Sequence, residues 1–153
     1  MTELRHALAA YVDQGNKLHV PFYQGLLAEL EAEGQDAEGV LARIDEALAL
    51  AERTDLRWTD AFLHRIRGDI LLKVDLENPA RAEKAYRTAI AVAGKQGARS
   101  FRLRAALPLA KLYQSTGRPA EAHAILALAL EGLAPTREMP EIAEAKALLS
   151  QLA

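Results

Sequence analysis

Helix-breaking residues divide this sequence into segments of similar length, and apolar residues recur at helical intervals within each segment. Glycine stands where several segments end, because it adopts the left-handed conformation of a helix terminus at little cost. These residues are Gly15, Gly34, Gly97 and Gly117. No segment shows the sustained alternation of a strand. The sequence therefore predicts an all-α chain of about eight helices, at residues 2–14, 18–33, 36–53, 57–75, 79–95, 98–116, 119–133 and 140–152.

The predicted helices form pairs whose apolar positions repeat. In each pair, small residues and one larger residue are separated by 12, 4 and 3 positions, or by 14, 4 and 3 in the middle pair. Small side chains at such positions let two antiparallel helices approach closely. The residues are Ala28, Val40, Ile44 and Ala47, then Gly68, Ala82, Tyr86 and Ala89, and finally Ala110, Ala122, Leu126 and Ala129. A repeat length of 40 to 42 residues indicates a repeat architecture.

Composition limits the classes of function. The chain contains no cysteine, which excludes disulfide scaffolds, thiolate zinc sites, iron–sulfur clusters and cysteine nucleophiles. Its net charge of −2 argues against non-specific nucleic-acid binding. No apolar run is long enough to span a membrane, and the first residues lack the apolar stretch of a signal peptide. We therefore expect a cytoplasmic protein that binds no membrane and for which nucleic acid is an unfavoured partner.

The sequence contains no familiar catalytic or metal-binding motif. The phosphate-binding pattern G-x-x-x-x-G-K-[ST] is absent, and no serine lies in a G-x-S-x-G elbow. No two of the four histidines have the spacing that presents two imidazoles to a metal from one helix. Acidic residues instead stand one helical turn from basic ones. These pairs are Asp69–Arg65, Glu77–Arg81 and Glu83–Arg87. We expect a chain that is not an enzyme and that has no cofactor or metal.

The third helix pair carries a family resemblance in the segment LAKLYQSTGRPAEAHAILALAL, residues 109–130. The segment has a small residue, a second small residue twelve positions later, then a large residue and then Ala-Leu. This order of residues resembles the tetratricopeptide repeat. Glu31, Arg67 and Pro108 depart from that pattern, since an aromatic, a leucine and an uninterrupted helix are usual there. The segments 19–30, 44–72 and 97–113 are similar to the C-terminal repeat region of large bacterial ATPase regulators, including those fused to adenylate cyclase or helix-turn-helix domains.

This resemblance implies a right-handed α-solenoid of antiparallel helix pairs that forms one domain over residues 1–153. Residues 1–15 would be the back helix of an incomplete preceding repeat, residues 18–54, 57–96 and 98–134 the three repeats, and residues 139–153 a capping helix. The N-terminal end would be covered by Leu4, Leu8, Tyr11 and Val12. Because an open end of such an array exposes apolar surface, a homodimer through this end is a further expectation.

Stacked helix pairs line a concave groove with their front helices, and this groove is the usual binding surface of such arrays. Steps of 40 and then 42 residues align three rows across the repeats. The rows are Phe22, Phe62 and Arg104, then Gly25, Arg65 and Leu107, and finally Glu29, Asp69 and Lys111. Aromatic residues at one end and cations at the other predict a groove for an extended or helical peptide with an acidic tail. The alternative for Phe22 and Phe62 is a place in the core.

Charge is distributed unevenly along the chain. Residues 29–60 hold ten acids and three bases, whereas residues 79–120 hold one acid and nine bases. Complementary ends would steer association or attract neighbouring repeats to each other.

These patterns predict a non-catalytic protein-interaction module whose partner is a protein or a peptide segment. The resemblance implies a regulatory role for it. Two alternatives stay open. One is a homodimeric structural module that brings other parts together, and the other is a small-molecule sensor with a pocket of Phe22, Phe62 and Arg65.

Overall fold

The computed structural model describes residues 2–13, 19–31, 36–134, 136 and 139–152, and within these ranges it contains eight α-helices and no strand. The helices are α1 (Thr2–Asp13), α2 (Val20–Glu31), α3 (Ala37–Thr54), α4 (Asp60–Val74), α5 (Ala80–Gln96), α6 (Arg99–Ser115), α7 (Pro119–Leu130) and α8 (Pro140–Leu152). A 3₁₀ turn, Arg57–Thr59, leads into α4. The all-α prediction and the number of helices are confirmed. None of the described helices is both long and apolar enough to cross a membrane.

The helix ends follow from local chemistry. The Asp36 side chain accepts a hydrogen bond of 2.9 Å from the backbone N–H of Gly39 and so caps the start of α3. Helix α5 ends at Gly97 with a φ of 66°, and Gly117, with a φ of 73°, follows α6. Both glycines occupy the left-handed region, as the sequence predicts. The predicted ends at Gly15 and Gly34 lie outside the described residues.

The helices pack in a regular order. Each helix contacts the next one in the chain, and the even-numbered helices also contact one another in the series α2, α4, α6 and α8. The even-numbered helices therefore form one continuous layer. All the repeat positions that the sequence singles out, from Ala28 to Ala129, are buried. One apolar cluster joins α2, α3 and α4, and a larger one extends from α4 to α8.

Gly68 shows why the contact between α4 and α5 needs a small residue. A Cβ atom at Gly68 would lie 2.6 Å from the ring of Tyr86, which is too close for two carbon atoms. Without that Cβ, the Tyr86 ring packs against the backbone of α4. The close approach also lets the Tyr86 hydroxyl reach the side chain of Asp69.

The N-terminal end is covered in part. Tyr11 of α1 packs edge-on against Tyr23 of α2, with ring centroids 5.7 Å apart. Val12, which the sequence predicts to help cover this end, is 41% exposed. The side chains of Leu4 and Leu8 lie outside the described residues.

Two of the three predicted intrahelical ion pairs form. Arg65 pairs with Asp69, and Arg87 pairs with Glu83. Arg81 forms no ion pair with Glu77, because Glu77 lies in the turn before α5 begins and is not on the helix. The guanidinium of Arg81 is therefore left without an acidic partner among the described residues.

Candidate functional site

A cavity of about 410 Å³ lies along the even-numbered helices, and we call it the groove. Its walls include seven of the nine residues in the three rows that the sequence aligns. They are Phe22, Glu29, Phe62, Arg65, Asp69, Arg104 and Leu107. The other two, Gly25 and Lys111, are not part of its lining. Side chains that are far apart in the sequence thus meet because α2, α4 and α6 lie in one layer.

Aromatic rings form one end of the groove. The Phe22 and Phe62 centroids are 5.1 Å apart, and the Phe62 and Phe101 centroids are 6.2 Å apart. Trp58 stacks on the outer side of Phe22 at 5.5 Å and is 39% exposed. Phe62 itself is almost fully buried, so it belongs to the core as well as to the groove wall. All three phenylalanines of the chain line this cavity.

A charged network crosses the middle of the groove. Arg65 donates from Nη1 to Asp69 Oδ2 at 2.6 Å and from Nη2 to Glu29 Oε1 at 2.8 Å. The Tyr86 hydroxyl donates to Asp69 Oδ1 at 2.6 Å. Burial raises the pKa of Asp69 above its ordinary value, against the opposing effect of the Arg65 charge. The network joins α2, α4 and α5 at the floor of the groove.

The two cations that the sequence places at the far end of the groove, Arg104 and Lys111, already have partners. Arg104 Nε donates to Glu141 Oε1 at 2.9 Å, and Lys111 Nζ donates to Glu144 Oε1 at 2.5 Å. Both acids belong to α8, which packs beside α6. The chain's own last helix thus supplies a carboxylate to each of these cations, and the acidic peptide tail expected at this end stays a prediction.

One carboxylate oxygen of Glu141 has no hydrogen-bond donor among the described residues. Its Oε2 is buried and accepts no hydrogen bond from any described residue, while Oε1 is bonded to Arg104. Leaving a buried acceptor unpaired costs about 1–3 kcal/mol.

A second cavity, of about 390 Å³, continues the groove on the other side of the charged network. The two cavities share Glu29, Asp69 and Pro108. The lining of the second is mainly aliphatic, and Leu76 at its mouth is 73% exposed. An elongated ligand could thus contact aromatic rings, then carboxylates, then aliphatic side chains.

Three residues of α2 and α6 line the groove although the aligned rows do not include them. Leu26, Phe101 and Pro108 also line the cavity. Each stands three or four positions from a nominated residue, so the periodicity of a helix face contains the signal that would find them. Glu141 carried no such signal, because nothing in the sequence places α8 against the groove.

Within the described ranges, no group of three or more His, Asp or Glu side chains is arranged to hold a metal ion. Comparison with protein-family models, with curated proteins and with solved structures finds no match to this chain. The resemblance to tetratricopeptide repeats therefore stays a prediction from the sequence.

Proposed function

We propose that the chain is a tetratricopeptide-like α-solenoid that acts as a non-catalytic peptide-binding module. Two features support the solenoid. The buried positions repeat every 40 to 42 residues, and helices two apart in the chain pack in series along one layer. A closed bundle would instead bring the first and last helices together around a shared core.

The observation that carries the proposal is the meeting of seven nominated side chains in one groove. An apolar wall with a few converging polar groups is the usual form of a binding site. Continuation of the groove into the aliphatic cavity makes it long enough for an extended segment or one helix face. A role in regulation is part of the proposal and rests on the family resemblance.

The groove chemistry favours particular peptide residues. An aromatic or aliphatic side chain would pack against Phe22 and Phe101, where ring edges line the cavity. A peptide with an acidic tail is disfavoured, because it would have to displace Glu141 and Glu144 from Arg104 and Lys111.

Selection of a random peptide library displayed on phage tests this function. The chain would be the bait, and the affinity of each enriched peptide would be measured by isothermal titration calorimetry. Leu26→Gln places an amide in the groove wall, whereas Leu128→Gln makes the same change at a half-exposed site on α7. We expect enriched peptides rich in apolar residues, with binding weakened about tenfold by Leu26→Gln and unchanged by Leu128→Gln. Absence of enrichment, or equal affinity for both variants, would contradict the proposal.

A second candidate function, homodimeric assembly, is favoured by an exposed aromatic patch at the N-terminal end. Tyr23 and Trp58 are 37% and 39% exposed, and both rings contact His19. Exposed aromatic residues of this kind are enriched at protein interfaces. Light scattering of the wild type and of a Tyr23→Ser/Trp58→Ser variant tests this candidate. A dimer that the substitutions dissociate supports it, and a wild-type monomer rejects it while leaving the peptide-binding proposal intact.

A further inference from the structure

A cavity on the opposite side of α4 is lined with basic side chains. It has a volume of about 340 Å³ and lies between α4 and α5. Helix α4 contributes His64, Arg67 and Leu71, and helix α5 contributes Arg81, Lys84, Ala85 and Thr88. On each helix these positions are three and four residues apart, so each set occupies one helix face. Among the residues that the structure describes, no carboxylate lines this cavity, which we call the basic cavity.

The basic cavity is separate from the groove. The groove uses Phe62, Arg65 and Asp69 of α4, whereas the basic cavity uses His64 and Arg67 of the same helix. Two residues along an α-helix correspond to a rotation of about 200°, so the two sets face in nearly opposite directions. An occupant of one site would leave the other free.

The charges around the basic cavity are not balanced. Arg81 and Lys84 are exposed, and their side chains have no hydrogen-bond or ion-pair partner among the described residues. Arg67 donates from Nη1 to Asp45 of α3 and keeps its remaining guanidinium N–H groups. Of the three cations that line the cavity, only Arg67 thus has a carboxylate partner, and the other nearby carboxylate, Asp60, pairs with Arg57. Burial lowers the pKa of His64, so its imidazole stays neutral near neutral pH and adds a hydrogen-bonding group instead of a fourth charge.

We propose that the basic cavity binds a phosphoryl group, either as free phosphate or as the terminal group of a phosphomonoester. A phosphate carries close to two negative charges at neutral pH, which matches the excess of cations over Asp45. Guanidinium groups bind phosphate oxygens in a bidentate fashion, and an ammonium group adds a further charge-assisted bond. The volume lies near the lower end of the range for small-ligand pockets.

Calorimetric titration of the full chain with inorganic phosphate and, separately, with phenyl phosphate tests this proposal. Acetate at the same ionic strength controls for weak binding of any small anion. Arg81→Gln/Lys84→Gln removes two cations of the cavity. The matched control, Arg53→Gln/Lys95→Gln, removes one arginine and one lysine from exposed positions outside it. Circular dichroism of both variants checks that they keep the wild-type helix content.

We expect saturable binding of the phosphoryl probes by the wild type and by the matched control, with affinity lowered about tenfold or more in Arg81→Gln/Lys84→Gln. Binding of both probes would indicate that the phosphoryl group alone is recognised, and binding of phenyl phosphate alone would assign the site to phosphomonoesters. The proposal is overturned if neither probe saturates, if acetate binds equally well, or if both variants lose the same affinity. Leu26→Gln should bind the probes as the wild type does, so this result is independent of the peptide-binding proposal.

Discussion

Two carboxylates in this protein have the same kinds of partner and opposite electrostatic behaviour. Asp69, on the floor of the groove, accepts hydrogen bonds from Tyr86 and Arg65. Its pKa is raised because burial outweighs the arginine, which Glu29 shares. A tyrosine and an arginine are therefore not sufficient to stabilise the charge of this carboxylate.

Glu83 of α5 is the contrasting case. Tyr113 donates to it at 3.1 Å, and two arginines pair with it, Arg118 at 2.7 Å and Arg87 at 3.0 Å. The Arg118 hydrogen bond holds the pKa of Glu83 below its ordinary value. The difference teaches that the number of cations available to a carboxylate, set against its burial, decides the direction of the shift. The Glu83 network fastens the turn before α7, whereas the Asp69 network lies in the groove with its charge less fully compensated.

The largest expected effect comes from the glycine beside Asp69. Gly68→Ala should lower the free energy of unfolding by about 1–3 kcal/mol, because the new Cβ overlaps the Tyr86 ring and pushes the hydroxyl away from Asp69. Gly94→Ala on α5 is the matched control, since a Cβ there meets nothing within 4 Å. It should raise stability by about 0.5–1 kcal/mol. Urea unfolding measures both, and an equal effect of the two substitutions would refute the close approach of α4 and α5.

Removal of each tyrosine hydroxyl sharpens the comparison. Tyr86→Phe should cost about 1.5 kcal/mol, because Asp69 keeps a single arginine as donor. Tyr113→Phe should cost about 0.5 kcal/mol, since Glu83 keeps both of its arginines. Thermal unfolding at neutral pH measures both variants. A larger loss of stability for Tyr113→Phe than for Tyr86→Phe would contradict this account, because Glu83 would then depend on its tyrosine more than Asp69 does.

Asp69 and Glu83 should change the stability of the fold in opposite directions as the pH rises. The pKa of Glu83 is lowered in the folded state, so its stabilisation is present above pH 4.5, its ordinary pKa, and is lost as the pH falls through the folded value. The pKa of Asp69 is raised, so stability declines as the pH rises from 3.8, its ordinary pKa, through the folded value.

Glu83→Gln should therefore reduce the loss of stability on acidification, and Asp69→Asn should remove the decline on the alkaline side of pH 3.8. Chemical unfolding at a series of pH values below neutrality provides the measurement. The comparison fails if both variants alter the pH profile in the same direction.

The smallest loss of stability is expected on removal of an exposed ion pair. Lys111→Gln removes the contact with Glu144, in which both side chains are about half exposed. Such pairs contribute roughly 0.2–1 kcal/mol, so we expect a change in the lower part of that range. A loss as large as that of Tyr86→Phe would mean that α8 is held to α6 chiefly by its charges.

The helices and most of the groove could be predicted because they depend on short-range periodicity. Ala28, Gly68 and Ala110 stand at equivalent positions of a repeat, and equivalent positions adopt equivalent burial. The same register aligned Phe22 with Phe62. Local rules of helix termination also located Gly97 and Gly117.

The contacts between helices of different repeats could not be predicted. Arg104 could be assigned to the groove, but its pairing with Glu141 depends on how α8 approaches α6. The pairing of Arg67 with Asp45 across α3 and α4 likewise depends on the angle between helices. Such angles arise from packing over many side chains, and sequence spacing within one helix carries no information about them.

The central claim is that the even-numbered helices bring Phe22, Phe62 and Arg65 into one peptide-binding groove. Selective isotope labelling of phenylalanine and tyrosine gives the most direct test, since the chain contains three phenylalanines and all line the groove. On titration with a selected peptide, we expect the ring resonances of all three to shift together, with Tyr113 unchanged as the internal reference. Saturating peptide that leaves the phenylalanine resonances in place would contradict the account.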